Sequence, residues 1–185
     1  MIRVGYMGIP FSNSAEMSRR LSESLGLGEC EHVALMSSRG VVDALMAGTV
    51  DYGVLAASNR FAGTVMETQD ALAGHPIEFL RLEWMPIHHC VFVKDGDVGV
   101  TKLISHVQAL MQSERTLREL YPDAEFVECE DTAYAAEMLS NGTIGFEYAA
   151  VCRKDAGEHY GLTLVHENVE DNRENMTQFA IVRKV

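Results

Sequence analysis

Positive charge is scarce in this 185-residue chain: 15 Lys and Arg stand against 27 Asp and Glu, a formal net charge of −12 at pH 7. That balance repels phosphate backbones and anionic lipid headgroups, which argues against nucleic acid and membrane as partners. A small anion is not excluded, because a few local donors and helix N-termini hold a carboxylate against an unfavourable global field. Cysteine is sparse as well. Cys30, Cys90, Cys129 and Cys152 are widely separated, with no Cys-x-x-Cys pair and no Cys/His spacing of a zinc site. They read as reduced thiols in or near the core. His88 and His89 are neighbours and point to opposite sides of an extended chain. No metal is implied.

Long apolar runs are missing too. With 47% hydrophobic residues, the chain nowhere approaches the ~20 apolar residues that span a bilayer. Met1-Ile2-Arg3-Val4 enters a strand pattern at once, without the parts of a secretory signal, so a cytoplasmic protein is expected. The four prolines are scattered, and no repeat, low-complexity tract or Pro/Gly/Ser linker divides the sequence. A chain of this length buries roughly 70% of its unfolded surface and needs no disulfide or metal to be stable.

What is present is an alternation of short β-like runs with helical patterns. Strands are expected at 3–7, 33–36 and 52–55, each followed by a helix, at 15–25, 41–47 and 65–72. A β-rich middle follows at 77–84 and 88–93. A second α/β series has strands at 102–105, 125–128 and 144–146, helices at 107–120, 133–139 and 149–159, and closing strands at 163–165 and 180–185. The pattern predicts an α/β fold with largely parallel strands. Two lobes are expected, residues 1–77 with 166–185 and residues 78–165, with a cleft between them.

Three junctions stand out on physical grounds. Ser12-Asn13-Ser14 precedes the first helix, Ser58-Asn59-Arg60 follows the third strand, and Asp131-Thr132 precedes the helix at Ala133. In a parallel sheet all three lie beyond the C-terminal strand ends, where ligands sit. Ser, Thr, Asn and Asp there are also ordinary helix caps, and a cap still presents its neighbouring N–H groups to a carboxylate. Near the C-terminus an acidic loop, Glu167 to Glu174, runs into Asn175-Met176-Thr177-Gln178-Phe179. A hydroxyl, an amide and an aromatic ring are thus presented where a loop becomes a strand.

That last segment resembles the Asn-x-Thr-Arg-Phe signature of prephenate dehydratases, with Gln178 in place of the Arg. The resemblance runs along nearly the whole chain. Val4 to Ser14 is similar to the family's Gly-rich opening, and Asp51-Tyr52-Gly53-Val54 matches well. Ala56-Ala57-Ser58-Asn59-Arg60 stands where the family has Pro-Ile-Glu-Asn-Ser. Ser105-His106-Val107-Gln108-Ala109-Leu110 resembles the Ser-His-Pro-Gln-Ala-Leu element, and Asp131-Thr132-Ala133-Tyr134-Ala135-Ala136 the Ser-Thr-x-x-Ala-Ala element.

The resemblance implies a two-lobed, periplasmic-binding-protein-like (type II) α/β architecture with the active site in the interlobe cleft. It implies conversion of prephenate to phenylpyruvate with loss of water and carbon dioxide, a step of phenylalanine biosynthesis that needs no metal or organic cofactor. Thr177 takes the position beside the leaving ring hydroxyl. Ser12, Ser14, Asn59, Arg60, His106, Asp131, Thr132, Gln178 and Phe179 are the implied substrate contacts, with Phe179 walling the ring. A homodimer is expected, and no downstream regulatory ACT domain, which in the family senses phenylalanine.

The departures suggest an exchange of charge. One positive charge is absent at 178, one negative charge at 58, and one positive charge is present at 60. Arg60 is therefore a candidate to grip the anion in place of the missing Arg. Two other readings stay open: a relative that decarboxylates prephenate without aromatising it, and a non-catalytic binder of a small carboxylate.

Overall fold

The computed structural model describes residues 1–96 and 99–185. Two compact units emerge, Met1–Ile87 with Asn175–Val185, and His88–Glu174.

The first unit contains β1 (Ile2–Tyr6), α1 (Asn13–Ser24), β2 (Cys30–Ala34), α2 (Ser38–Ala47), β3 (Tyr52–Asn59), β4 (Gly63–Thr64), α3 (Met66–Leu72) and β5 (Ile77–Pro86), and the last strand of the chain, β11 (Met176–Lys184), completes it. The strand order is β2-β1-β3-β11-β5, with β4 paired to β3. β1 runs parallel to β2 and β3, while β11 lies antiparallel between β3 and β5. Strand alternation sends Val4, Tyr6, Val54, Phe179 and Ile181 to one face, where Ala15, Met17 and Leu21 of α1 cover them. Leu55, Ala180 and Val182 fill the other face under Val41, Ala44 and Leu45 of α2.

Two glycines allow close packing on the face of the sheet that α2 covers. Gly5 and Gly53 are register partners on β1 and β3. A Cβ on Gly53 would lie 2.6 Å from Val41 Cγ1, and one on Gly5 2.5 Å from Leu35 Cδ1. A side chain at Gly53 would push against Val41 and Leu45 of α2, and one at Gly5 against Leu35 and Val50, on either side of that helix.

The second unit contains β6 (Cys90–Val93), β7 (Lys102–Ser105), α4 (Val107–Leu120), β8 (Glu125–Glu128), α5 (Thr132–Asn141), β9 (Tyr148–Cys152), α6 (Lys154–His159) and β10 (Thr163–His166). Its sheet order is β10-β6-β9-β7-β8. Val91, Val93, Leu103, Leu110, Leu117, Ala149 and Val151 form its core. α6 rests directly on β6, since a Cβ on Gly157 would lie 2.5 Å from the Phe92 ring.

The elements differ from expectation in three places. No strand forms at 144–146, and Ala149–Cys152, expected to be helical, belongs to β9, with the helix starting only at Lys154. Tyr-Ala-Ala-Val-Cys is a short run buried on both faces, and periodicity alone does not separate such a strand from a helix. Among the described residues, parallel pairing holds for β1–β2, β1–β3, β7–β8 and β7–β9, and the remaining ladders are antiparallel. Ser58 and Asn59, expected beyond the third strand, lie within β3. The units divide after Ile87 and after Glu174. β5 pairs with β11 from Ile77 to Pro86, which ties the β-rich middle to the C-terminal strand.

Among the described residues, no helix is long and apolar enough to cross a membrane, and no group of three or more His, Cys, Asp or Glu is placed to hold a metal ion.

Candidate active site

In the first unit the candidate residues gather where β3 ends and β11 begins. Asn59 and Thr177 are register partners there. The Asn59 side-chain oxygen accepts from the backbone N–H of Phe61 at 3.0 Å and of Ala62 at 3.1 Å. Those two groups can only donate, so the orientation of the amide is settled: its NH2 faces the other way. That NH2 donates to Asn175 Oδ1 at 2.9 Å and to Thr177 Oγ1 at 3.1 Å. The Thr177 oxygen is engaged as an acceptor, which leaves its own O–H to donate elsewhere.

Asn175 was missed as a site residue. It is 3% exposed, and its Nδ2 is a buried donor with no hydrogen-bond partner among the described residues. Its signal was in the sequence, as the first residue of the Asn-x-Thr segment. Buried donors are almost always paired, so such a group stands out.

The same end of the sheet carries the N-terminus of α1. Ser12 is the N-cap, its Oγ accepting from Ala15 N at 3.2 Å, and Ser14 is buried in the first turn. The residue before the cap, Phe11, has φ 67°, and Met36 after β2 has φ 60°. Left-handed backbone at a bulky residue costs about 1–3 kcal/mol and collects at functional sites. The Met36 loop is tied to the Gly8 loop by reciprocal backbone bonds, Gly8 N to Met36 O at 3.0 Å and Met36 N to Gly8 O at 3.3 Å. Arg60 directly follows Asn59, exposed, with its backbone N–H donating to Met176 O at 2.9 Å.

Gln178 and Phe179 behave differently from Thr177. Gln178 follows Thr177 on one strand, so it projects to the opposite face. Its cross-strand neighbours are Ser58 and Trp84, and the Ser58 hydroxyl donates to Gln178 Oε1 at 3.3 Å. The two positions at which the family charges are absent thus meet in one contact. Phe179 is 2% exposed and packs into the core under α1. It supports the floor beneath Thr177 and presents no open ring face. An open hollow of about 460 Å³ lined by Ala57, Thr64, Thr68, Gln69, Leu72, Ala73 and Phe79 contains none of the candidate residues.

In the second unit His106 and Asp131 are the N-caps of α4 and α5, after the neighbouring parallel strands β7 and β8. His106 Nδ1 accepts from Gln108 N at 3.2 Å, which places its proton on Nε2. Asp131 Oδ1 accepts from Ala133 N at 2.8 Å. Burial raises the Asp131 carboxyl above the ordinary carboxylate range, with the Ala133 N–H and His106 pulling the other way. Thr132, half-buried, opens α5. These three residues form a group of their own.

Two α/β units, each with capped helix N-termini and polar side chains at the strand ends, define the periplasmic-binding-protein-like class. A periplasmic substrate-binding protein of an ABC transporter from Coxiella burnetii superposes with a TM-score of 0.55 at 14% identity, covering 100% of this chain and 85% of that one. A prephenate dehydratase from Arthrobacter aurescens, solved in complex with L-Phe, superposes far better, with a TM-score of 0.85 at 22% identity over 100% of this chain and 61% of that one.

The sequence model for prephenate dehydratase matches residues 4–185, and the chain belongs to that family. The prephenate dehydratase of Amycolatopsis methanolica is 32% identical over 186 residues, covering 100% of this chain and 59% of the relative. Arogenate dehydratase 5, chloroplastic, of Arabidopsis thaliana is 28% identical over 185 residues, covering 99% of this chain and 42% of the relative. The chain therefore spans between 42% and 59% of the length of these two curated relatives.

Proposed function

We propose that this chain carries out a prephenate dehydratase-type lyase reaction, with the Thr177 hydroxyl at the leaving group of the substrate. One observation supports this reading above the rest: Asn59, locked by the Phe61 and Ala62 N–H groups, donates to Thr177 Oγ1 and turns the Thr177 O–H outward as a donor. In the reaction the ring C–O bond breaks, the departing oxygen takes a proton and leaves as water, and the ring carboxylate leaves as carbon dioxide while its bonding electrons complete the aromatic ring. Aromatisation supplies most of the driving force. The protein has to hold the substrate in a reactive pose and protonate one oxygen. A threonine hydroxyl is a weak acid, so it passes on a proton supplied through water or orients the one that water supplies.

Asn59 and Asn175 position Thr177. Ser12 and Ser14 at the start of α1, and Arg60 beside Asn59, face the anionic groups of the substrate. Gln178 contributes through its contact with Ser58 and brings no charge to the anion. Association of two copies belongs to the same reading.

Product analysis with purified protein tests the proposal, using prephenate and arogenate separately and Thr177→Ala as control. Protein-dependent phenylpyruvate from prephenate, lost in the control, is expected. Phenylalanine from arogenate alone would keep the reaction and change the substrate. A non-aromatic decarboxylated product would point to the rival enzyme, and unchanged substrate bound tightly would point to a carboxylate binder.

A further inference from the structure

We propose that Cys90 and Cys152 form a modification site, closing a reversible cross-strand disulfide when the chain meets a hydroperoxide. The inference does not depend on which reaction the chain performs. The two residues are direct register partners on the antiparallel β6–β9 ladder. Partners of that kind have Cα atoms about 4.5–5.5 Å apart, inside the range of about 4.4–6.8 Å that a disulfide spans. Their Cβ atoms lie about 4.5–5.5 Å apart against the 3.5–4.5 Å of a disulfide, so a closing of up to about 1 Å suffices. Alternation gives the face they share. Val91 and Val151 belong to the core with Leu110 and Leu117 of α4, so Cys90 and Cys152, one residue away on each strand, lie on the opposite face with Phe92, beneath α6. The other two thiols are placed differently. Cys30 faces Ile2 across the β2–β1 ladder, and Cys129 Sγ donates to Asp131 O at 3.2 Å.

Position decides which sulfur reacts first. Cys152 is 0% exposed, while Cys90, at the first residue of β6, is 3% exposed, and its sulfur accepts from the backbone N–H of Asn168, an exposed residue. One loop residue thus separates it from solvent. Burial raises both thiols above their ordinary range, with the Asn168 N–H pulling Cys90 back and Cys90 adding to the rise at Cys152. Cys90 is therefore the attacking sulfur, and the reaction is slow because thiolate is scarce at neutral pH. Its thiolate attacks one peroxide oxygen: an S–O bond forms, the O–O bond breaks, and the departing oxygen takes the thiol proton and leaves as water, or as an alcohol from an organic hydroperoxide. The Cys152 sulfur then attacks the Cys90 sulfenic acid. An S–S bond forms, the S–O bond breaks, and the oxygen leaves as water with the Cys152 proton. Two thiols lose two electrons and the peroxide gains them. The bond ties β6 to β9 and closes a loop holding β7, α4, β8 and α5, which restrains the unfolded chain.

The experiment treats the full chain with hydrogen peroxide after removal of reductant, quenches with catalase, unfolds the chain in guanidinium with iodoacetamide, and reads intact mass and peptide map. The reduced chain takes up four alkyl groups, one on each cysteine. After peroxide, a linked peptide pair carrying Cys90 and Cys152 is expected, both sites lose their alkyl groups, and dithiothreitol restores them. The same link is expected in Cys30→Ser/Cys129→Ser, which removes the other two thiols. In Cys152→Ala the Cys90 sulfenic acid has no partner, and its labelling by dimedone rises severalfold over wild type. The double variant leaves the pair and its packing untouched, so it reads the link even where Cys152→Ala folds poorly. Full alkylation of Cys90 and Cys152 after peroxide, a link that runs through Cys30 or Cys129, or a Cys90 sulfinic acid beside an alkylated Cys152 overturns the inference.

Discussion

Asn59 Nδ2 sits 3.1 Å from Thr177 Oγ1 across the β3–β11 ladder, where the two residues are register partners. One amide thus serves two purposes, closing the turn at Phe61–Ala62 with its oxygen and aiming the threonine with its nitrogen. Replacing Asn59 with Ala leaves Asn175 Oδ1 and two backbone N–H groups without partners. Since a buried orphan costs about 1–3 kcal/mol, the variant is expected to lose roughly 2 kcal/mol or more of stability in urea titration. Turnover falls further than stability does, because Thr177 loses its orientation.

Ser58 and Gln178 act as a unit. Gln178→Arg alone places a cation beside a hydroxyl, and Ser58→Glu alone places a carboxylate beside an amide oxygen. The double variant pairs the two charges across the ladder. A double-mutant cycle is expected to give a favourable coupling of about 1 kcal/mol in urea unfolding. A coupling near zero would show that the two positions do not interact.

Arg60 is proposed to meet the anionic end of the substrate. A charge-assisted hydrogen bond contributes about 1.5–3 kcal/mol, so Arg60→Ala is expected to raise the substrate Kd by about ten- to a hundredfold. Arg60→Lys recovers part of the loss, as a cation without the planar fork. Calorimetric titration with prephenate reads both.

Acid sensitivity has two origins in the second unit. His89 is 3% exposed, with Nε2 3.0 Å from Gln112 Oε1 and Nδ1 buried with no partner among the described residues. Burial lowers its pKa below the ordinary 6.5, against the opposing pull of Gln112 and Glu170. The unfolded chain therefore binds the proton first. Stability is full above about pH 6.5 and declines as the pH falls below it. His89→Gln is expected to flatten that slope in pH-dependent melting curves. Asp171 adds a second, lower step. Burial raises its pKa, but N–H bonds from Thr116 and Arg115, the Thr116 hydroxyl and the Arg115 charge outweigh it and bring the pKa below 3.8. Its contribution is present above the unfolded pKa and is lost as pH falls through the folded one.

Much of this was legible in the residues themselves. Most strands and helices followed from hydrophobic period and capping residues, and Thr177 sits at the loop-to-strand border where it was expected, while Asn59 lies inside the strand it was expected to follow. The strand at Tyr148–Cys152 was not legible, because a run buried on both faces carries neither a period of two nor one of 3.6. Antiparallel pairing of β11 between β3 and β5 was equally hidden, since pairing partners far apart in sequence leave no local mark. That pairing is what puts Ser58 opposite Gln178. Along the chain the two positions are separate departures; across the ladder they are in contact. Phe179 was read as a ring wall from its place in the signature, but strand alternation next to α1 makes it core.

The measurement closest to the central claim is steady-state kinetics of Thr177→Ser and Thr177→Val on whichever substrate the wild type turns over. If the Asn59-held hydroxyl serves the leaving group in the transition state, Ser retains kcat within about tenfold, while Val lowers kcat about a hundredfold or more and leaves KM nearly unchanged. Equal losses in Ser and Val, or a change confined to KM, would contradict that role for Thr177.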